Sequence, residues 1–189
     1  MPDTLAKTDP RLRPGLPTWI PEAVRLYLDH TEAGLSLRAI ARRDGCHAST
    51  VLRQVRRYEG RRDDPLLDEA LSALAARDGV PPMTDTKEDP MSAPIRHQNL
   101  ALDDRQIARE GLRVLRRLAE PGSVLAVAPE MEKAVVMREF PDGRSARTGV
   151  VDRAFAQAFA LKEWIAIRKA GRVTSYELSP TGRMALKRM

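Results

Sequence analysis

The stretch LSLRAIARRDGCHASTVLRQVRRY, from Leu35 to Tyr58, has the pattern of two helices joined by a tight turn. Ser36 is a suitable N-cap for a first helix from Leu37 to Arg43, in which apolar residues recur at helical spacing. Gly45 is expected to end that helix, because glycine adopts the left-handed conformation without strain. A second helix is predicted to begin near Ala48.

The spacing of small and apolar residues makes this prediction more specific. Ala41 lies four residues before Gly45, where a small side chain lets two helices cross closely. Val51 lies six residues after Gly45 and would fill the angle between the helices, with Leu52 and Val55 on the same buried side. This is the pattern of a helix-turn-helix, whose second helix lies in the major groove of DNA.

Polar side chains of this stretch are the candidate DNA contacts. Arginine can bind guanine through two hydrogen bonds, and glutamine can bind adenine in the same way. Gln54 departs from the motif, which usually has an apolar residue at that position, so Val55 is expected to take over the packing role. The predicted base contacts are His47, Ser49, Thr50, Arg53 and Gln54, and the predicted phosphate contacts are Arg38, Arg42, Arg56 and Arg57.

The alternative for this stretch is an ordinary helical hairpin with a solvated basic face, which is the usual meaning of a charge run. Between Arg38 and Arg62 there are eight arginines and only two acidic residues. Together with the glycine turn, this excess favours DNA binding.

Composition limits the class of protein further. The chain has 189 residues, enough for one large or two small domains. Its net charge of +6 favours a polyanionic partner. Cys46 is the single cysteine and the three histidines show no ligand spacing, so neither a disulfide nor a metal site is expected. Without a membrane-length apolar run or the apolar core of a signal peptide, a cytoplasmic, nucleoid-associated protein is expected, with no membrane contact.

Prolines and composition changes predict four segments. Residues 1–18 contain four prolines and no periodic apolar pattern, which predicts a flexible arm. Residues 19–79 are predicted to be the helix-turn-helix domain. Its fourth helix, beginning after Asp64, would either pack back on the first three helices or pair with a second copy. Residues 80–99 are a Pro-rich linker, and residues 100–189 are a second domain.

The second domain mixes predicted helices and strands. Asp103 and Gln106 have the spacing of a capping box at the start of a helix. Two β-branched runs, Val124–Val127 and Ala134–Met137, are typical of a hairpin. A helix is then predicted from Val150 to Leu161. Among its residues and those that flank it, the side chains that could face outward are Asp152, Arg153, Gln157 and Lys162.

The C-terminal residues predict a second hairpin and a final helix. Strands are expected at Trp164–Ile167 and Val173–Leu178, and Ser179 precedes Pro180 as an N-cap. Helix, helix, basic-tipped hairpin and helix resemble a winged helix, a fold that binds DNA or protein. The predicted fold class is therefore mainly α with small β hairpins: a helix-turn-helix domain, a Pro-rich linker and a winged-helix-like α+β domain. The wing would present Arg168, Lys169 and Arg172.

With the runs VLRRLAEPGSVLAVAPE (Val114–Glu130) and YELSPTGRMALKR (Tyr176–Arg188), this helix-turn-helix resembles the N-terminal part of alphaproteobacterial regulators related to the gene transfer agent activation factor. The resemblance implies a transcriptional activator of phage-like gene transfer agent genes. It also implies action with RNA polymerase and a DNA-bending protein such as integration host factor. Longer relatives have a further domain, which a separately encoded partner protein would supply here.

Two function classes follow. The leading hypothesis is a sequence-specific transcriptional regulator that binds double-stranded DNA, with a homodimer as one arrangement because helix-turn-helix proteins often bind as dimers. The alternative is an adaptor for RNA polymerase or a co-regulator, with weak non-specific DNA affinity. An enzyme is not expected, since the sequence has no phosphate-cradling glycine loop, nucleophile elbow or metal-ligand cluster. No catalytic residues and no cofactor are therefore predicted.

Overall fold

The computed structural model of the protein describes residues 16–77, 100 and 102–189. The predicted linker over residues 80–99 and most of the predicted arm over residues 1–18 lie outside the described residues. In the described part the chain forms a mixed α+β fold. Its elements are α1 (Glu22–Thr31), α2 (Leu37–Asp44), α3 (Ala48–Glu59), α4 (Pro65–Arg77), α5 (Asp104–Leu118), β1 (Ser123–Val127), β2 (Lys133–Glu139), β3 (Ser145–Asp152), α6 (Arg153–Leu161), β4 (Ile165–Lys169), β5 (Thr174–Leu178) and α7 (Pro180–Arg188).

The two helices and the glycine turn predicted between Leu35 and Tyr58 are present. The Ser36 hydroxyl accepts a hydrogen bond from the backbone N–H of Ala39 at 3.2 Å, as an N-cap should. Gly45 has φ 68°, in the left-handed region that favours glycine. Ala41, Val51 and Val55 are buried, and α1 packs against both α2 and α3. The first three helices therefore form a packed unit, and the exposed side of α3 faces away from it.

The five strands form one antiparallel sheet in the order β3-β2-β1-β5-β4. Leu125 of the central strand β1 pairs with Val136 of β2 on one side and with Tyr176 of β5 on the other. Both predicted hairpins, β1–β2 and β4–β5, are confirmed. The pairing of β1 with β5 joins them, so the second part of the chain has a continuous sheet rather than separate small hairpins.

The helix predicted from Val150 to Leu161 is wrong at its N-terminal end. Val150 pairs with Val135 and Val151 with Ala134, both within β3 and β2, and α6 begins only at Arg153. β-branched residues such as valine pack well in a pleated sheet, and this preference outweighs the helical spacing. Residues 145–149 contain no apolar run, so the start of β3 has no signal in the sequence.

Helices α5 and α6 pack on the sheet, and both predicted helix caps in this region are confirmed. The capping box of Asp103 and Gln106 is complete at the start of α5. Ser179 accepts a hydrogen bond from the backbone N–H of Gly182 at 2.9 Å at the start of α7. A side chain at Gly182 would collide with the backbone oxygen of Trp164, so glycine allows α7 to lie directly against the turn before β4.

The fourth helix packs on the C-terminal half of the chain. Its apolar stripe packs against α6, a partner that the sequence did not indicate. At its N-terminus the Asp64 carboxylate accepts hydrogen bonds from the Tyr176 hydroxyl at 2.8 Å and from the backbone N–H of Leu66 at 3.1 Å. Burial, and then the neighbouring Asp64 charge, raise the pKa of Tyr176, so its hydroxyl stays protonated as the donor.

The prediction that Arg153 and Gln157 face outward from the second domain is wrong. Their exposed fractions are 4% and 6%. Arg153 donates to both oxygens of Glu69 in α4, at 2.8 and 2.6 Å, and Gln157 donates to the same carboxylate at 3.1 Å. Because α4 covers this side of α6, these two side chains join α6 to α4 and are not part of an exposed surface.

Candidate nucleic-acid interface

Most of the predicted base contacts lie on the solvent side of α3. His47 is the residue before the helix and is exposed, as are Ser49 and Arg53. Thr50 is half-buried. Ser49 and Arg53 are four residues apart and share one stripe of the helix, opposite the side on which Val51 and Val55 are buried.

Gln54 lies differently from the other predicted base contacts. It is half-buried, and its side-chain oxygen is inside the protein without a hydrogen-bond partner. Val55 beside it is buried, in agreement with the expected packing role. The amide of Gln54 therefore occupies a site where the motif usually has an apolar side chain, and leaves a polar atom unsatisfied there.

Four of the exposed arginines of α2 and α3 form two stripes without partners. Arg38 and Arg42 are one turn apart on α2, and Arg53 and Arg56 are one turn apart on α3. All four are exposed, and within the described residues none makes a hydrogen bond or an ion pair with another side chain. None of the four guanidinium groups therefore has a carboxylate oxygen within ion-pair distance in the described part of the chain.

A neighbouring cluster has the opposite character. Between α1 and α2, Arg25 binds Asp44 at 3.1 Å, and Arg43 binds Asp44 at 2.8 Å and Asp29 at 2.5 Å. Both carboxylates have an exposed fraction of only 2%. Burial acts to raise the pKa of Asp44, but hydrogen bonds from Arg43 and Arg25 bring it below its ordinary value. This cluster fixes the end of α2 on α1.

The C-terminal end of α3 is joined to the turn between α6 and β4. The Tyr58 hydroxyl donates to the backbone oxygen of Leu161 at 3.2 Å. Arg57 forms an ion pair with Glu163, and Arg61 donates to the same carboxylate at 3.0 Å. Arg57, a predicted phosphate contact, thus already has an anionic partner. Sequence reasoning missed Glu163, because it lies about a hundred residues away in the chain and has no motif around it.

The predicted wing residues lie on and around the β4–β5 hairpin, and all three are exposed. Arg168 is 4.0 Å from a carboxylate oxygen of Glu139, and Arg172 is 3.9 Å from one of Glu130. Such long exposed ion pairs contribute little, so these side chains remain available to other partners.

Candidate metal ligands do not cluster in the residues that the structure describes. Among them there is no group of three or more His, Cys, Asp or Glu side chains that could hold a metal ion. Of the helices in this part of the chain, none is both long and apolar enough to cross a membrane. Comparison of the chain with protein-family models, with curated proteins and with solved structures gives no match.

Proposed function

We propose that the protein binds double-stranded DNA through the solvent side of α2 and α3 and acts as a sequence-specific transcriptional regulator. The observation that supports this most is the set of four exposed arginines without partners. Duplex DNA offers a regular array of phosphates that such guanidinium groups neutralise with release of counterions. Guanidinium groups bind phosphate through charge-assisted hydrogen bonds, often two at once.

The distribution of the acidic residues also argues against the alternative of a merely solvated basic face. Only Asp44 and Glu59 lie between Arg38 and Arg62 in the sequence. Asp44 is buried against Arg25 and Arg43, so Glu59 is the carboxylate of this stretch that remains exposed. The solvent side of α2 and α3 is therefore strongly biased towards positive charge.

In this proposal α2 and α3 are a helix-turn-helix, and α3 is its recognition helix. Arg53, Ser49, Thr50 and His47 would face base edges from the N-terminal half of α3, as recognition helices do. Arg38, Arg42 and Arg56 would bind phosphates and set the register. Gln54 would reach a base only after its side chain turns outward.

The rest of the chain has an accessory role in the proposal. Residues 100–189 would act as a winged helix, with Arg168, Lys169 and Arg172 adding phosphate contacts from the β4–β5 hairpin. The chemistry is that of binding and not of catalysis. The narrower role implied by the family resemblance, activation of gene transfer agent genes with RNA polymerase and integration host factor or another partner, stays a prediction that promoter sequences can test.

The experiment is selection from a pool of genomic DNA fragments across a salt series, with sequencing of the fragments that remain bound at high salt. A few recovered promoter fragments that share one motif would support a sequence-reading regulator and identify its operator. Uniform recovery that collapses with salt would mean that only the DNA backbone is bound. Absence of DNA binding together with a stable complex with RNA polymerase would support the adaptor alternative.

A further inference from the structure

A single carboxylate holds two arginines at the C-terminal end of α3. Arg57 donates to one oxygen of Glu163, and Arg61 donates to the other at 3.0 Å. The Arg57 side chain is 51% exposed, whereas that of Glu163 is 17% exposed. Arg57 is therefore within reach of a large ligand from solvent, but its guanidinium group already has an anionic partner.

The position of Glu163 is determined by the backbone around it. Its φ of 58° lies in the left-handed region, which residues other than glycine adopt rarely. Its backbone N–H donates to Ala160 at 3.1 Å, and its backbone oxygen accepts from the Ser179 hydroxyl at 2.5 Å. The carboxylate therefore projects from a fixed turn into a cleft of about 380 Å³ that Arg57 and Arg61 line from the other side.

We propose that Glu163 is an internal competitor for DNA phosphate at the end of α3 and so limits the DNA affinity of the protein. This inference rests on the proposed function. A carboxylate and a phosphodiester are both anionic oxygen acceptors, and a guanidinium group binds either through the same donors. Arg57 must leave Glu163 before it can neutralise a phosphate. With Glu163 neutral, Arg57 and Arg61 gain one net positive charge between them and become a phosphate site.

The attachment of α3 to the sheet does not depend on the Glu163 carboxylate alone. The Tyr58 hydroxyl donates to Leu161, and Arg61 also donates to the backbone oxygen of Ala160 at 3.4 Å. A variant that removes only the charge of Glu163 keeps both of these contacts. Its effect on DNA binding can therefore be separated from an effect on folding.

The test compares Glu163→Gln with the wild-type full chain in DNA titrations at several salt concentrations. One added phosphate contact makes the slope of log affinity against log salt steeper by about 0.9. The variant should bind tighter, and its advantage should be roughly threefold larger at about 50 mM than at about 200 mM salt. Glu163→Asn, which also removes the charge and suits a left-handed backbone, should behave in the same way and serves if Glu163→Gln folds poorly.

Two controls make the result specific. Glu132→Gln makes the same change in net charge at an exposed site between β1 and β2, and should leave the slope unchanged. Arg57→Gln added to Glu163→Gln should abolish the gain, because the two residues act as a coupled pair. Wild-type affinity and slope in both Glu163 variants, or an equal gain in Glu132→Gln, would overturn the inference. If the wild type and every variant bound no DNA, the proposed function would fall and this inference with it.

Discussion

Arg42 and Arg43 are neighbours in the sequence, but their side chains lie in opposite environments. Arg42 is exposed and, among the described residues, has no side-chain partner, as is also true of Arg38. Arg43 holds the two buried carboxylates of Asp29 and Asp44 between α1 and α2. A helix repeats every 3.6 residues, so adjacent residues point about 100° apart, and one faces the packed helix while the other faces solvent.

This difference shows that a count of basic residues does not measure a binding surface. The arginines of the buried cluster serve the packing of α2 on α1, and their charges are compensated there. By contrast, Arg38, Arg42, Arg53 and Arg56 are exposed and form no ion pair among the described residues. Only the second group is available to DNA, and the predictions below test that separation.

The largest expected effect is on stability, at the buried cluster. Asp44→Ala leaves Arg25 and Arg43 facing each other without that carboxylate, and should lower the free energy of unfolding by about 3 kcal/mol. Arg42→Ala, two residues away in the sequence but on the exposed side, should change it by less than about 0.5 kcal/mol. Urea denaturation of the two variants measures both values. Equal losses would show that the two environments are not distinct.

The next effect is on DNA binding, at the solvent side of α3. Arg53→Ala should cost about 1–3 kcal/mol on the preferred sequence and much less on unrelated DNA, because a base contact is lost. Arg56→Ala should weaken binding to all sequences alike and lower the salt slope by about 1, because a phosphate contact is lost. Titrations with operator and random DNA compare them. Identical losses on every sequence would refute the assigned roles.

The stability of the protein should depend on pH in the alkaline range, through Tyr58 on the buried side of α3. Burial, with a further contribution from Glu163, raises the pKa of Tyr58 to about 12 from an ordinary value of 10. Between these two pH values the folded protein retains a proton that the unfolded chain loses. The contribution of Tyr58 to the free energy of unfolding is therefore complete below pH 10 and is lost as the pH rises towards 12. Unfolding midpoints across this range should fall less steeply for Tyr58→Phe than for the wild type. Identical slopes would rule out this proton as the cause.

The smallest effect is expected at Arg57, which lies next to Arg56 but is bound by Glu163. Arg57→Ala should change the salt slope by well under the value of about 1 that one phosphate contact contributes. The same titrations on random DNA measure it beside Arg56→Ala. A slope change at Arg57 as large as that at Arg56 would mean that Glu163 does not restrain it.

Local features of this fold could be predicted from the sequence, whereas long-range contacts could not. The Ser36 cap, the Gly45 turn and the buried Val51 depend on neighbours within a few residues, and each was correctly predicted. The pairing of β1 with β5 joins residues about fifty positions apart, and Glu69 meets Arg153 across an even longer distance. Nothing in the local pattern of either segment indicates its partner.

The same limit applies to the candidate site. The sequence indicates that α2 and α3 are rich in arginine, and helical periodicity indicates which positions face solvent. It does not indicate that Asp44 is buried by Arg25 or that Glu163 binds Arg57, since both partners come from other elements. The division into compensated and available charge is therefore a property of the packed structure.

The most direct test of the proposed DNA surface compares two fourfold variants that make the same change in net charge. One replaces Arg38, Arg42, Arg53 and Arg56 by Gln. The other replaces Arg105, Arg109, Arg116 and Arg147 by Gln. These four arginines are also exposed and, within the described residues, form no ion pairs.

DNA affinity is measured for both variants and the wild type across a salt series. The first variant should lose most of its affinity and about 3 units of salt slope, and the second should keep both near the wild-type values. Equal losses in the two variants would contradict the account, because DNA would then respond to net charge and not to the solvent side of α2 and α3.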